Sequence, residues 1–190
     1  MRIDEHLRAT RQVYDREAHD YACKTGSYES FPGLQNEIDR FRRRAMTALP
    51  LLDLGCGVGR DTEYLLSQGC AVVAADLSSE MLKITRERCC NQKTLMLVQL
   101  TMTELPFKDG MIGGAWVCAS LLHLPNDHFA PALNELLRVL SPGGSVAISM
   151  KAGNSEGWHS GSSLPHPRWF TLVDPSHFAK LLRSWNKITN

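Results

Sequence analysis

The sequence has no apolar run near the roughly 20 residues that a membrane-spanning helix needs, so no such helix is expected. It lacks any C-x-x-C pair. Its six cysteines, Cys23, Cys56, Cys70, Cys89, Cys90 and Cys118, are scattered, which argues against a zinc site or a disulfide framework and for reduced thiols. Neither charge is in surplus, with 21 basic against 20 acidic residues, so composition offers no general affinity for nucleic acid or an anionic membrane. The opening MRIDEHLRAT carries charges where a secretory leader needs an apolar stretch, and a cytoplasmic location is expected. Internal repeats and low-complexity tracts are also missing.

What is present fits one domain: 190 residues, 43% of them hydrophobic. Arg11, Tyr14, Ala18 and Tyr21 recur at helical spacing, as do Leu34, Ile38, Phe41 and Ala45 before Pro50, which predicts two N-terminal helices. From Leu51 the texture changes to short apolar runs alternating with amphipathic stretches: LLDLG, DTEYLLSQG, AVVAAD, SSEMLKITRERC and TLMLVQL. Strands alternating with helices imply right-handed crossovers and a parallel sheet. GAWVCAS follows as a fourth strand, then NDHFAPALNELLRVL as a helix with Leu133, Leu136, Leu137 and Leu140 on one face. Ser141-Pro-Gly-Gly ends that helix, SVAISMK makes a fifth strand, and a Gly/Ser/His/Pro-rich loop runs from Lys151 to about Val173. Asp174-Pro175 starts a last helix whose buried stripe is Phe178, Leu181, Leu182 and Trp185.

The chemistry is concentrated in Asp53-Leu-Gly55-Cys-Gly57-Val-Gly59-Arg60, between a strand and a helix, with Asp76 at the end of the next strand. Glycines at alternate positions let backbone approach a ligand without interference from Cβ, and a carboxylate about twenty residues on can reach a ribose diol. Dinucleotide enzymes set a pyrophosphate on a helix N-terminus with G-x-G-x-x-G. The run here is D-x-G-x-G-x-G, which suits a nucleoside ligand without phosphates.

In LLDLGCGVGRDTEYL, VVAADLSSEML, LPFKDG, SLLHL, ELLRVLSPGG and SMKAG, taken in order, the sequence resembles the class I S-adenosylmethionine-dependent methyltransferases, in the small-molecule group akin to the ubiquinone/menaquinone type. The resemblance covers about residues 11 to 185. It implies an α/β, Rossmann-like, doubly wound and mostly parallel sheet with flanking helices. Residues 1–50 would form a helical lid, and 51–190 the S-adenosylmethionine-binding core. It further implies that Gly55, Gly57 and Gly59 shape the loop under the methionine part of the cofactor, that Asp53 helps hold its ammonium, and that Asp76 binds both ribose hydroxyls. Leu77 and Met81 would flank the adenine, and Tyr14 and Tyr21, in a Y-x-x-x-A-x-x-Y face, would cap the cofactor.

Three departures from the family pattern matter. Thr101 stands where relatives carry an acid for the adenine amino group, so one hydrogen bond worth about 1 kcal/mol is expected to weaken or change acceptor. Ile112-Gly113 replaces an F-D pair, with a consequence expected for stability more than chemistry. Relatives continue past the last helix into a two-stranded hairpin on the sheet edge, whereas this sequence stops at NKITN, so that hairpin is expected to be lacking. Truncation is the favoured explanation, and a second chain covering the exposed edge as a dimer is the other.

Methyl transfer asks mainly for alignment in a dry pocket, with a base optional. His123 in SLLHL and His159 in the long loop are the catalytic candidates, with His166, Glu156 and Arg168 beside them, because ligands collect at the carboxyl ends of such strands. Lys151 and Arg168 could pair with an anionic acceptor. The run Arg40, Arg42, Arg43, Arg44 reads as a solvated helix face, and no nucleic-acid partner or metal is expected. The expected acceptor is a small molecule. A tRNA or protein acceptor would need a basic surface or a docking extension, and a cofactor-binding protein without transferase activity is the remaining alternative.

Overall fold

The structure is a computed structural model and describes residues 5–160 and 163–186, the side chains of 184–186 excepted. Its centre is a five-stranded sheet in the order β3-β2-β1-β4-β5: β1 (Leu51–Leu54), β2 (Val72–Asp76), β3 (Leu95–Gln99), β4 (Ile112–Cys118) and β5 (Leu140–Ser149). Every pairing in it is parallel. Parallel neighbours require crossovers, and these are α4 (Arg60–Ser67), α5 (Ser79–Arg88) and α6 (Phe129–Val139).

The alternation of side chains along each strand divides the core in two. Leu52, Leu54, Val73 and Ala75 point to the face covered by α6 and by α7 (Pro175–Asn186), meeting Leu133, Leu136 and Phe178. Leu51 and Val72 point the other way, to α4 and α3 (Leu34–Arg42), meeting Leu65, Leu66, Ile38 and Phe41. β4 is buried along almost its whole length, whereas β5, at one sheet edge, is only half-buried. Among the described residues no further strand pairs with β5. Residues 187–190, most of NKITN, lie outside the described residues, as does the side chain of Trp185, the fourth member of the expected stripe.

Four expectations change. The N-terminal segment forms three helices rather than two: α1 (Glu5–Arg16), α2 (Ala18–Thr25) and α3. The break falls at Glu17, which leaves the helical region at φ −109° and ψ 20°, while backbone bonds from Glu17 to Val13 and from Tyr21 to Glu17 keep the two pieces in line. Helix α3 ends at Arg42, short of Ala45. Leu140 does not share the face of α6, because the helix stops at Val139 and Leu140 already pairs with Ile112 in β5; Ser141-Pro-Gly-Gly is folded into that strand beside an irregularity in the register. The stretch after Lys151 is not an unstructured loop. It contains an antiparallel hairpin, β6 (Ser155–His159) and β7 (Arg168–Leu172), whose strands pair with each other and not with the main sheet.

Two of the motifs are joined by one side chain. Arg138 of ELLRVL donates to the carbonyls of Leu105 and Phe107 and to Asp109, all in LPFKDG, and to Glu135, which in turn accepts from the backbone N–H of Leu105. The glycine that replaces an acid at 113 also has a packing reason: a Cβ there would stand 2.1 Å from the carbonyl oxygen of Met46. Met46 N–H instead donates to Gly113 O at 2.9 Å, fastening the segment after α3 to β4.

Candidate functional site

A cleft enclosing about 800 Å³, its open mouth included, lies at the carboxyl ends of the parallel strands. Four of the five strand ends supply wall: Leu54 and Gly55 at β1, Asp76 and Leu77 at β2, Leu100 and Thr101 after β3, and Cys118 to Ser120 at β4. Ala119 holds φ at +51°, a left-handed conformation that a residue with a Cβ adopts only under constraint, at the point where β4 turns into the wall.

The glycine loop forms the floor. Gly55, Gly57 and Gly59 all have positive φ, at 78°, 54° and 77°. Their surroundings differ. A Cβ on Gly55 would collide with Ser120 at 2.2 Å and one on Gly59 with Thr85 at 2.8 Å, so these two serve packing beneath the loop. A Cβ on Gly57 would meet only Tyr21, at 3.7 Å, so this position faces open space. Gly55 and Gly57 line the cleft and Gly59, which opens α4, does not.

Asp76 is fixed by backbone donors. One carboxylate oxygen accepts from Gly57 N–H at 2.9 Å and the other from Ser78 N–H at 2.8 Å. Burial pushes the Asp76 carboxyl above its ordinary value, and these N–H groups pull it back. The result ties the end of β2 to the glycine loop and leaves oxygen lone pairs for a ligand. Ser78 caps α5 by accepting from Met81 N–H, and its hydroxyl donates to Asp15 of α1. Leu77 and Met81 line the cleft beside it, and so does Thr101, whose hydroxyl lies 3.2 Å from that of Thr103.

Asp53 is not in the wall. It is 2% exposed beneath the loop and accepts from the Thr62 hydroxyl at 2.5 Å. Burial, with the charge of Asp61 added, pushes its carboxyl up to about 7. Asp61 accepts in turn from Arg60, Tyr28 and Trp116, so a buried polar cluster underlies the start of α4.

The N-terminal helices close the cleft. Tyr14 and Tyr21 both line it, with ring centroids 5.3 Å apart and edge to face. They sit on different helices, α1 and α2, and meet across the break at Glu17, over Ala18, Val58 and Met81. Leu7 and Thr10, from the part of α1 that the periodicity did not reach, also form wall, as does Arg11, the first member of the periodic series.

His123 lines the cleft, but both its ring nitrogens are occupied. Nδ1 lies 2.7 Å from the carbonyl oxygen of Trp169, which can only accept, so Nδ1 carries the proton. Nε2 then accepts from the Tyr14 hydroxyl at 2.8 Å, and Tyr14 Oη accepts from Arg168 Nη1 at 3.0 Å. Burial drops the His123 pKa to about 4 and raises that of Tyr14, so both are neutral near pH 7. His159 is exposed on β6, outside the wall, its ring 6.2 Å from that of Phe170. His166 is exposed and pairs with Glu17, and Glu156 accepts from Asn126 N–H at 2.9 Å. Of the Arg run, Arg40 pairs with Glu37 and Arg42 with Asp39 on α3. No cluster of metal-ligating side chains occurs among the described residues.

Residues 52–148 match a family described as Methyltransferase domain. A demethylmenaquinone methyltransferase of Clavibacter sepedonicus is 36% identical over 98 residues, 52% of this chain and 39% of that protein. A malonyl-acyl-carrier-protein O-methyltransferase of Pectobacterium atrosepticum is 32% identical over 142 residues, 73% of this chain and 54% of that protein. The chain thus spans about half the length of these curated relatives. A likeness of fold extends to the crystal structure of 1,6-didemethyltoxoflavin-N1-methyltransferase of Burkholderia thailandensis with bound 1,6-didemethyltoxoflavin and S-adenosylhomocysteine, at TM-score 0.72 and 22% identity, covering 97% of this chain and 80% of that one.

Proposed function

The chain belongs to the class I S-adenosylmethionine-dependent methyltransferases, and from that premise we propose that its cleft takes S-adenosylmethionine and passes the methyl group to O, N or C of a small-molecule acceptor. One observation carries the reading: a backbone-held carboxylate, Asp76, stands beside the one loop position, Gly57, where a Cβ would project into open space. That pair offers lone pairs to a ribose diol and space for a ligand chain.

In this reading Asp76 accepts from the ribose hydroxyls, Leu77 and Met81 flank the adenine, and Thr101 offers its hydroxyl or carbonyl to the amino group. Gly57 admits the methionine part, while Gly55 and Gly59 hold the loop's shape. Asp53 acts on the ammonium from beneath the loop in its ionised form, which a carboxyl pushed up to about 7 populates in part near neutral pH. Residues 1–50 serve as the lid on a core at 51–190, with Tyr14 and Tyr21 closing it. When bound, the cofactor supplies an electrophilic methyl group on a sulfonium sulfur. The chain's own part is to orient the acceptor, exclude water and leave a lone pair free. Where the acceptor carries a proton, Tyr14 Oη takes it as Tyr14 passes its own to His123 Nε2. A base with a pKa of about 4 suits an acceptor that loses its proton easily. His159 takes no part in this scheme.

The reading is checked by calorimetry with S-adenosylmethionine and S-adenosylhomocysteine, followed by a metabolite extract incubated with an isotopically labelled methyl donor. We expect micromolar binding of both and label in a small molecule. Binding without transfer would favour a cofactor-binding protein, label in tRNA or protein would move the acceptor class, and absence of binding would overturn the proposal.

A further inference from the structure

Arg168 opens β7 and is 2% exposed, among the most buried side chains of the protein. A guanidinium cannot shed its charge, so burial is tolerated when its N–H groups find acceptors and a carboxylate balances it. Arg168 meets neither condition. Nη1 donates to Tyr14 Oη at 3.0 Å and to Ser163 Oγ at 3.5 Å. Nε and Nη2 are buried with no hydrogen-bond partner among the described residues, and no carboxylate pairs with the group there.

Its neighbours accept a cation by their ring faces rather than by charge. The guanidinium carbon lies 5.3 Å from the Tyr14 ring centroid and 5.2 Å from that of Phe170. Lys151 brings a second cation to the same aromatic ring, its Nζ 4.6 Å from the Phe170 centroid. This end of the molecule therefore holds two positive groups and two unused donors, directly behind Tyr14 and His123, which form the cleft wall. The two unused donors are a matched pair: Nε–H and the adjoining Nη2–H lie along one edge of the planar group and point in parallel. That edge fits the two oxygens of a carboxylate.

We infer that the methyl acceptor carries a carboxylate and that the Nε–Nη2 edge of Arg168, supported by the charge of Lys151, is the group that holds it. This rests on the methyl-transfer reading of the cleft and narrows it to anionic acceptors. Carboxylate entry requires the Tyr14 side of the wall to yield, which places acceptor binding under control of α1, the helix that carries Tyr14. The carboxylate anchors one end of the acceptor against Arg168 and turns the other toward the centre of the cleft. Arg168 is thus a specificity residue rather than a participant in methyl transfer.

The test uses benzoate and its neutral isostere benzamide on the full chain, with inorganic phosphate as a third probe, in the presence and absence of S-adenosylhomocysteine. The readouts are the arginine Nε–H signals in ¹H–¹⁵N spectra and the dissociation constants from the same titrations. We expect benzoate to shift one buried Nε–H signal, which is missing from Arg168→Lys, and to bind at least tenfold more tightly than benzamide. Arg168→Lys and Arg168→Met should each weaken benzoate at least tenfold, their melting curves serving to confirm that they fold. The wild-type signal assigns the site even where Met at 168 is not tolerated. Equal binding of benzoate and benzamide, or a preference for phosphate, overturns the inference. A protein that binds S-adenosylhomocysteine while benzoate leaves every arginine signal unmoved overturns the anion site alone, whereas one that binds neither overturns the reading beneath it as well.

Discussion

Asp76 and His123 show how burial and hydrogen bonding set what a residue can offer. Asp76 is held by two N–H donors and keeps lone pairs for a diol. Replacing it with Ala should lower S-adenosylmethionine affinity at least tenfold, because losing two charge-assisted hydrogen bonds costs about 1.5–3 kcal/mol each. An unchanged dissociation constant in calorimetry would refute the ribose assignment. His123 makes a different prediction, about stability. Its folded pKa of about 4 lies below the ordinary 6.5, so the unfolded chain binds the proton more readily. Its contribution is therefore fully present above about pH 6.5 and is lost as pH falls toward 4, by up to about 3 kcal/mol. Asp53, pushed up to about 7, works in the opposite sense, so the comparison must be between wild type and a His123 variant rather than along one curve. In urea titrations His123→Gln should be less stable than wild type at pH 7 but lose less stability between pH 6.5 and 4. An acid limb as steep as that of wild type would mean that His123 does not titrate in this window.

The helices over the cleft are attached by few groups. On α1 only Leu7 and Thr10 are buried and on α2 only Ala18 and Thr25, and much of the attachment is polar: Thr10 accepts from Trp169 N–H, and Asp15 accepts from Ser78. Little apolar area is committed, so ligand contact should supply much of the order of this element. Hydrogen exchange over residues 8–25 should slow markedly on adding cofactor or its product, while Leu51–Asp76 changes less. High protection without ligand, unaltered by it, would make α1 and α2 a fixed packing element and end the lid reading. The tyrosine pair was visible in the sequence, because its spacing continues across the break, and the break was hidden for the same reason: Glu17 interrupts the backbone without interrupting the periodicity. The β6–β7 hairpin was hidden by composition. Its strands are five residues each, Gly157 interrupts one of them, and most of β6 is exposed, so no alternation of apolar and polar residues marks it.

At the scale of the molecule, the parallel sheet could be read from alternating strands and helices, since its central strands β1, β2 and β4 are buried on both faces and lie in largely apolar runs. The floor of the cleft could be read because a glycine loop and an acid have a local signature. Arg168 and Lys151 were legible only as loose candidates, because what matters about Arg168, burial with two unmatched donors, comes from a tertiary contact with Tyr14 that is 154 positions away in the chain. The cleft draws its wall from α1, α2 and the ends of four strands, so a ligand there bridges elements that otherwise meet through few groups. Binding to the folded state alone stabilises it by about 2.7 kcal/mol at one hundred times the dissociation constant. For a domain of this size each kcal/mol raises Tm by about 2–4 °C. S-adenosylhomocysteine at that excess should therefore raise Tm by about 5–11 °C in a thermal melt. Asp76→Ala at the same ligand concentration, no longer in large excess over its weakened dissociation constant, should show a clearly smaller rise. A wild-type Tm that ignores the ligand, or a variant that gains as much as wild type, would mean that the cleft and Asp76 are not where the nucleoside binds.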